Sequence, residues 1–75
     1  MTTVSVPSRS GKTLFLPVFD EEFEAAALDG LTGLCICCGA EASGVEPDAR
    51  RYTCEDCGSP GVYGLEELVL MGLTR

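Results

Sequence analysis

Seventy-five residues, with twelve acids against five bases and a formal charge of −7, make at most one small acidic domain. That balance excludes the chain-wide basic footprint of most nucleic-acid binders. The hydrophobic share of 45% is too high for a disordered tail, yet a chain this short buries only about 60% of its unfolded surface, so its core needs a staple. Aromatic residues are few (Phe15, Phe19, Phe23, Tyr52 and Tyr63), so leucine, valine and alanine must supply most of that core.

Residues 1–7 lack the apolar stretch of a signal peptide, Thr2 stands where N-myristoylation needs glycine, and no apolar run reaches the length of a membrane span. The expected location is cytoplasmic, with no membrane partner. Residues 3–6 alternate, with Val4 and Val6 on one face, and 13–16 form a second β-like run, which predicts a hairpin with its tip near Ser10-Gly11. Pro7 and Pro17 cannot donate to a ladder and belong at edge or terminal positions. Ser10-Gly11-Lys12-Thr13 has the ending of a phosphate-binding loop, but the motif's first glycine would fall on Val6, and strand follows where helix is required. Asp20 then caps a short helix: Glu21 and Glu22 complement its dipole, Phe23, Ala26 and Ala27 share a face, and Gly30 can end it.

Two hooks follow, Cys35-x-x-Cys38-Gly39 and Cys54-x-x-Cys57-Gly58, with fifteen residues between Cys38 and Cys54. Two intervening residues let one tight turn aim both sulfurs at a single ion. The glycines free the backbone to turn, so that nearby amides can reach the thiolates. Cys35, Cys38, Cys54 and Cys57 therefore read as the ligands of one structural Zn2+, whose tetrahedral shell four thiolates close at roughly 2.3 Å. Iron is the chemical rival, because rubredoxins use similar hooks for electron transfer. Their hooks lie farther apart, however, and their cores are more aromatic. Cys37 reads as a spare thiol beside the first hook, because the x-x spacing of the second hook selects Cys35 as Cys38's mate.

Residues 40–49 read as a polar loop, 50–54 as a strand entering the second hook, and 58–61 as a turn that brings Val62-Tyr63 against Tyr52-Thr53. Residues 65–73 read as a helix with Leu65, Leu68 and Val69 on one face, Glu66 and Glu67 in the first turn, and Gly72 at its end. Leu70, Met71 and Leu73 widen its apolar surface and mark a candidate partner-binding face. Glu46, Asp48, Arg50 and Arg51 are a second candidate, although the stronger reading is that Glu46 and Arg50 close the Pro47-Asp48 turn as an ion pair. The expected fold is a small α+β domain: a four-Cys zinc ribbon with an N-terminal β-hairpin and two short helices. It is a single domain over 1–75, with hairpin and first helix in 1–33, ribbon in 34–64 and C-terminal helix in 65–75.

With no histidine, a closed metal shell, and no serine or cysteine beside a recognisable base, no enzyme and no small-molecule substrate are expected. The only basic clusters are Arg9 with Lys12 and Arg50 with Arg51, so a nucleic-acid-binding ribbon is the weaker alternative to a protein partner. The run Val45-Glu46-Pro47-Asp48-Ala49-Arg50-Arg51-Tyr52-Thr53-Cys54-Glu55-Asp56-Cys57-Gly58, followed by Val62-Tyr63-Gly64-Leu65-Glu66-Glu67-Leu68, resembles small zinc-ribbon proteins of bacteriophages and prophages. The likeness covers the C-terminal half. It implies a zinc-binding protein made in the cytoplasm of an infected bacterium. The acidic surface and the partly apolar C-terminal helix then point to an accessory factor that binds another protein, a host machine or defence complex.

Overall fold

The computed structural model describes residues 1–75. Strands β1 (Thr3–Pro7) and β2 (Thr13–Pro17) form the expected antiparallel hairpin, with Pro7 and Pro17 at the ends of its ladder. Ser8 and Lys12 close the loop through a 2.8 Å backbone bond. Helix α1 (Glu21–Asp29) begins at Asp20, whose Oδ1 accepts the Phe23 N–H at 2.9 Å. It ends at Gly30, whose φ of 76° is the left-handed geometry that a helix stop requires. Phe23 is buried, and Ala26 and Ala27 pack beside it, as the 3.6-residue period predicts.

The second sheet has the order β4-β3-β5, built from β3 (Thr32–Cys35), β4 (Glu41–Ser43) and β5 (Val62–Gly64), all antiparallel. Its central strand explains how the molecule divides. Leu34 lies opposite Tyr63 and Cys35 opposite Val62, and successive side chains point to opposite faces. Leu34 and Tyr63 accordingly join Phe23, Leu65 and Leu68 in a core on the helical side, while Cys35 and Val62 join Val45, Ala49 and Cys54 on the metal side. One three-stranded sheet thus separates the helices from the metal site.

Two expected features of this part of the chain differ. The stretch read as a polar loop contains β4 and contributes Val45 and Ala49 to the core. The pair Tyr52-Thr53 with Val62-Tyr63 is reduced to a single bridge between Tyr52 and Val62, made by reciprocal bonds of 3.0 and 3.1 Å. The reason is Arg51, whose φ of 54° turns the chain out of strand geometry. The main partner of β5 is β3 instead. Gly64 is required in β5, because a Cβ there would collide with the Pro47 carbonyl oxygen, which crosses close to the strand.

Helix α2 (Leu65–Leu70) is shorter than expected. Gly72 donates to the Val69 carbonyl at 3.0 Å and Leu73 to the Leu68 carbonyl at 2.8 Å, the double bond of a Schellman stop. This return packs Leu73 against the core beside Leu68, so Leu73 is half-buried and outside the exposed apolar face. Val69 leaves the buried stripe and is 42% exposed. Glu67, in the first turn as expected, is buried, with Oε1 2.6 Å from a terminal nitrogen of Arg50. No N–H points at that oxygen, so the contact is an ion pair without an aligned hydrogen bond. The expected Glu46–Arg50 pair is absent: Glu46 accepts the Tyr52 hydroxyl instead. No helix is long and apolar enough to cross a membrane.

Candidate metal centre

Both hooks fold into the same turn. The Cys35 N–H donates to the Ala40 carbonyl at 2.9 Å and the Gly39 N–H to the Cys35 carbonyl at 2.7 Å; the Cys54–Ser59 and Gly58–Cys54 bonds repeat this at 2.9 and 2.8 Å. Gly39 and Gly58 occupy the left-handed region at φ 82° and 75°, where a side chain costs roughly 1–2 kcal/mol. The turns direct amides at sulfur. The Cys37 and Cys38 amides favour the Cys35 thiolate, the Ala40 amide that of Cys38, and the Ser59 amide that of Cys57. The Cys57 N–H reaches the Cys54 Sγ at 3.5 Å.

The four sulfurs of Cys35, Cys38, Cys54 and Cys57 all lie within 4.8 Å of one another. Cys35 and Cys57 are 3.7 Å apart, and Cys38 and Cys54 3.6 Å. Sulfurs placed about 2.3 Å from a central ion at tetrahedral angles would be separated by about 3.8 Å. The cage therefore fits a four-thiolate metal, and the sulfurs are far too distant for a disulfide. Cys37 is exposed and lies outside the cluster.

Protonation favours the same chemistry unevenly. Burial pushes the Cys35 thiol far up, against the pull of the Cys38 and Cys37 amides. At Cys38 the Ala40 amide favours the thiolate, but burial and neighbouring sulfur leave its pKa raised. The Ser59 amide brings Cys57 down to about 7, against some desolvation. Cys57 is thus the readiest thiolate of these three, while buried Cys35 needs a cation to ionise.

The structure separates the other candidate residues. Asp48 and Arg51 are exposed, and Arg50 is committed to Glu67. Leu70 and Met71 are 81% and 44% exposed. Leu70 borders a groove of about 620 Å³ that sequence reading did not find, lined by Phe19, Phe23, Ala27, Leu28, Val69 and Leu70. Glu24 and Glu66 complete its walls. The available signal was the pair of apolar residues, Leu28 and Leu70, on the outer faces of helices that proved to be neighbours.

No protein-family model, curated protein or solved structure matches the chain. The site's geometry stands by itself: a zinc-ribbon-like α+β fold whose four cysteines form a potential structural metal site.

Proposed function

We propose that this chain is a zinc-clamped accessory protein that acts by docking on another protein. The observation that carries the proposal is the apolar groove between α1 and α2, where Leu28 is 88% and Leu70 81% exposed. Contiguous apolar surface flanked by charge is the usual mark of an interaction site. The metal is zinc in this reading, because four thiolates complete its shell and leave no open position for water or substrate, which confines it to structure. The resemblance of residues 45–58 and 62–68 to bacteriophage and prophage ribbons supports the cytoplasm of an infected bacterium as the setting, and the acidic surface supports a host machine or a defence complex as the partner.

The nucleic-acid alternative is weaker, because Arg50, one of its four cations, is already paired with Glu67. Tagged zinc-loaded protein incubated with bacterial lysate should retain a protein in stoichiometric amount, and Leu70→Asp should release it. Failure to retain a stoichiometric partner, or retention unaffected by Leu70→Asp, overturns the proposal. Elemental analysis of the purified chain should find one zinc per molecule; a coloured, iron-bearing protein would replace this reading with electron transfer.

A further inference from the structure

We infer that the groove between α1 and α2 receives an amphipathic helix of the partner, with lysine or arginine bordering its apolar face. This inference rests on the protein-docking reading above and narrows it to one class of ligand.

The lining belongs wholly to the two helices and to Phe19, just before α1. No sheet strand contributes to it, so an extended peptide would find no ladder there to satisfy its amides and carbonyls. An occupant that buries its backbone in an apolar groove must make those bonds internally, as a helix does. The nine residues of α1 span about 13 Å at 1.5 Å each, enough for roughly two turns of a partner helix. Such a helix would offer apolar residues at i, i+3 or i+4, and i+7.

Charge selects the partner's sign. Helix α1 carries Glu21, Glu22, Glu24 and Asp29, α2 carries Glu66 and Glu67, and neither carries a lysine or arginine. Glu24 stands in one wall of the groove and Glu66 in the other. Of the six, Glu67 pairs with Arg50 and Glu22 with the N-terminal ammonium of Met1 at 3.5 Å, while the groove's own Glu24 and Glu66 have no ionic partner. At one end the Arg75 carbonyl accepts the Phe19 N–H at 2.7 Å, but the Arg75 guanidinium turns to the Thr74 carbonyl. A second copy would bring the same carboxylates against Glu24 and Glu66, and an anionic membrane would be repelled for the same reason. A basic-flanked helix is attracted on both sides.

The test uses zinc-loaded full-length protein and two synthetic helical peptides with identical leucine faces, one flanked by lysine and arginine, the other by glutamate. The basic peptide should bind about ten-fold more tightly at low salt, the scale of a few rim charge pairs. Amide shifts should centre on Phe19, Leu28, Val69 and Leu70. Leu28→Asp, at an exposed position, should abolish binding without unfolding, and Glu24→Gln with Glu66→Gln should erase most of the preference. Equal affinity for the two peptides, shifts centred elsewhere, or no binding of either overturns the inference. So does self-association blocked by Leu28→Asp, or binding to vesicles of anionic lipid. A cellular partner retained through Leu70 without preference for the basic peptide sinks this inference alone; loss of both results sinks the docking proposal as well.

Discussion

The first and second hooks share a hydrogen-bond pattern but not an environment. Cys35 is fully buried, the ring of Phe15 lies against Gly39, and Ile36 bonds to Phe15 on one side and Gly61 on the other. Around the second hook, Cys57 and Gly58 are exposed and nothing lies within 4 Å of a Cβ built on Gly58. The turn is thus encoded locally by C-x-x-C-G, while burial is imposed by the strands on either side. The core already holds the first hook and the buried Cys54 at the start of the second; the Cys57 end depends far more on a metal.

Metal removal should make that difference largest. Structural zinc contributes about 10–16 kcal/mol in small domains, against total stabilities of about 5–15 kcal/mol. Chelation should therefore unfold the chain, with amides of 54–59 losing exchange protection before those of β3. An unchanged circular dichroism spectrum after complete metal removal would show that the core suffices without the clamp.

Single-ligand substitutions should follow in size. Cys35→Ser and Cys57→Ser both lose a ligand, but the first also buries a hydroxyl whose proton has no evident acceptor, a further cost of about 1–3 kcal/mol. Urea midpoints should rank Cys35→Ser below Cys57→Ser, where solvent can complete the shell. Equal midpoints would erase the asymmetry between the hooks. Cys37→Ser should still bind one zinc per chain, because Cys37 is outside the sulfur cluster.

The glycines provide a smaller version of the comparison. Gly39→Ala and Gly58→Ala share the left-handed penalty of about 1–2 kcal/mol. Only the first places its Cβ 3.3 Å from the Phe15 ring. Gly39→Ala should lower the urea midpoint further, and the reverse order would mean that Phe15 does not anchor the first hook.

The four-cysteine cluster was legible because its geometry is written in spacing alone. The hairpin and α1 were legible for the same reason, through alternation and capping. The three-residue β4 gives no usable period, with Ala42 alone half-buried between exposed Glu41 and Ser43. The β3–β5 pairing was hidden because Gly33 and Gly64, poor strand formers, lie opposite each other. Both are required by crowding, from Val45 at Gly33 and from the Pro47 carbonyl at Gly64. Arg50 was matched with Glu46 because they are near in sequence, whereas the fold brings it to Glu67 and gives Glu46 to Tyr52. Local periodicity shows which face of an element is apolar, but not which distant residue will meet it.

The Glu46–Tyr52 contact provides the finest probe of the second hook. Its hydrogen bond raises the Tyr52 phenol above the ordinary value near 10, with further contributions from desolvation and from the charges of Glu46 and Asp48. A raised folded-state pKa means that the neutral phenol is favoured on folding. Its stabilising contribution is therefore complete below about pH 10 and is lost as pH rises through the folded pKa. In a Tyr63→Phe background, ultraviolet absorbance should show Tyr52 ionising late, and Glu46→Gln should move that midpoint down. Chelation should move it down as well, because Tyr52 is held beside Val62 at the entrance to the second hook. A midpoint that responds to Glu46→Gln but not to chelation would mean that the 46–52 loop keeps its shape without metal. The metal's reach would then end at the two knuckles themselves.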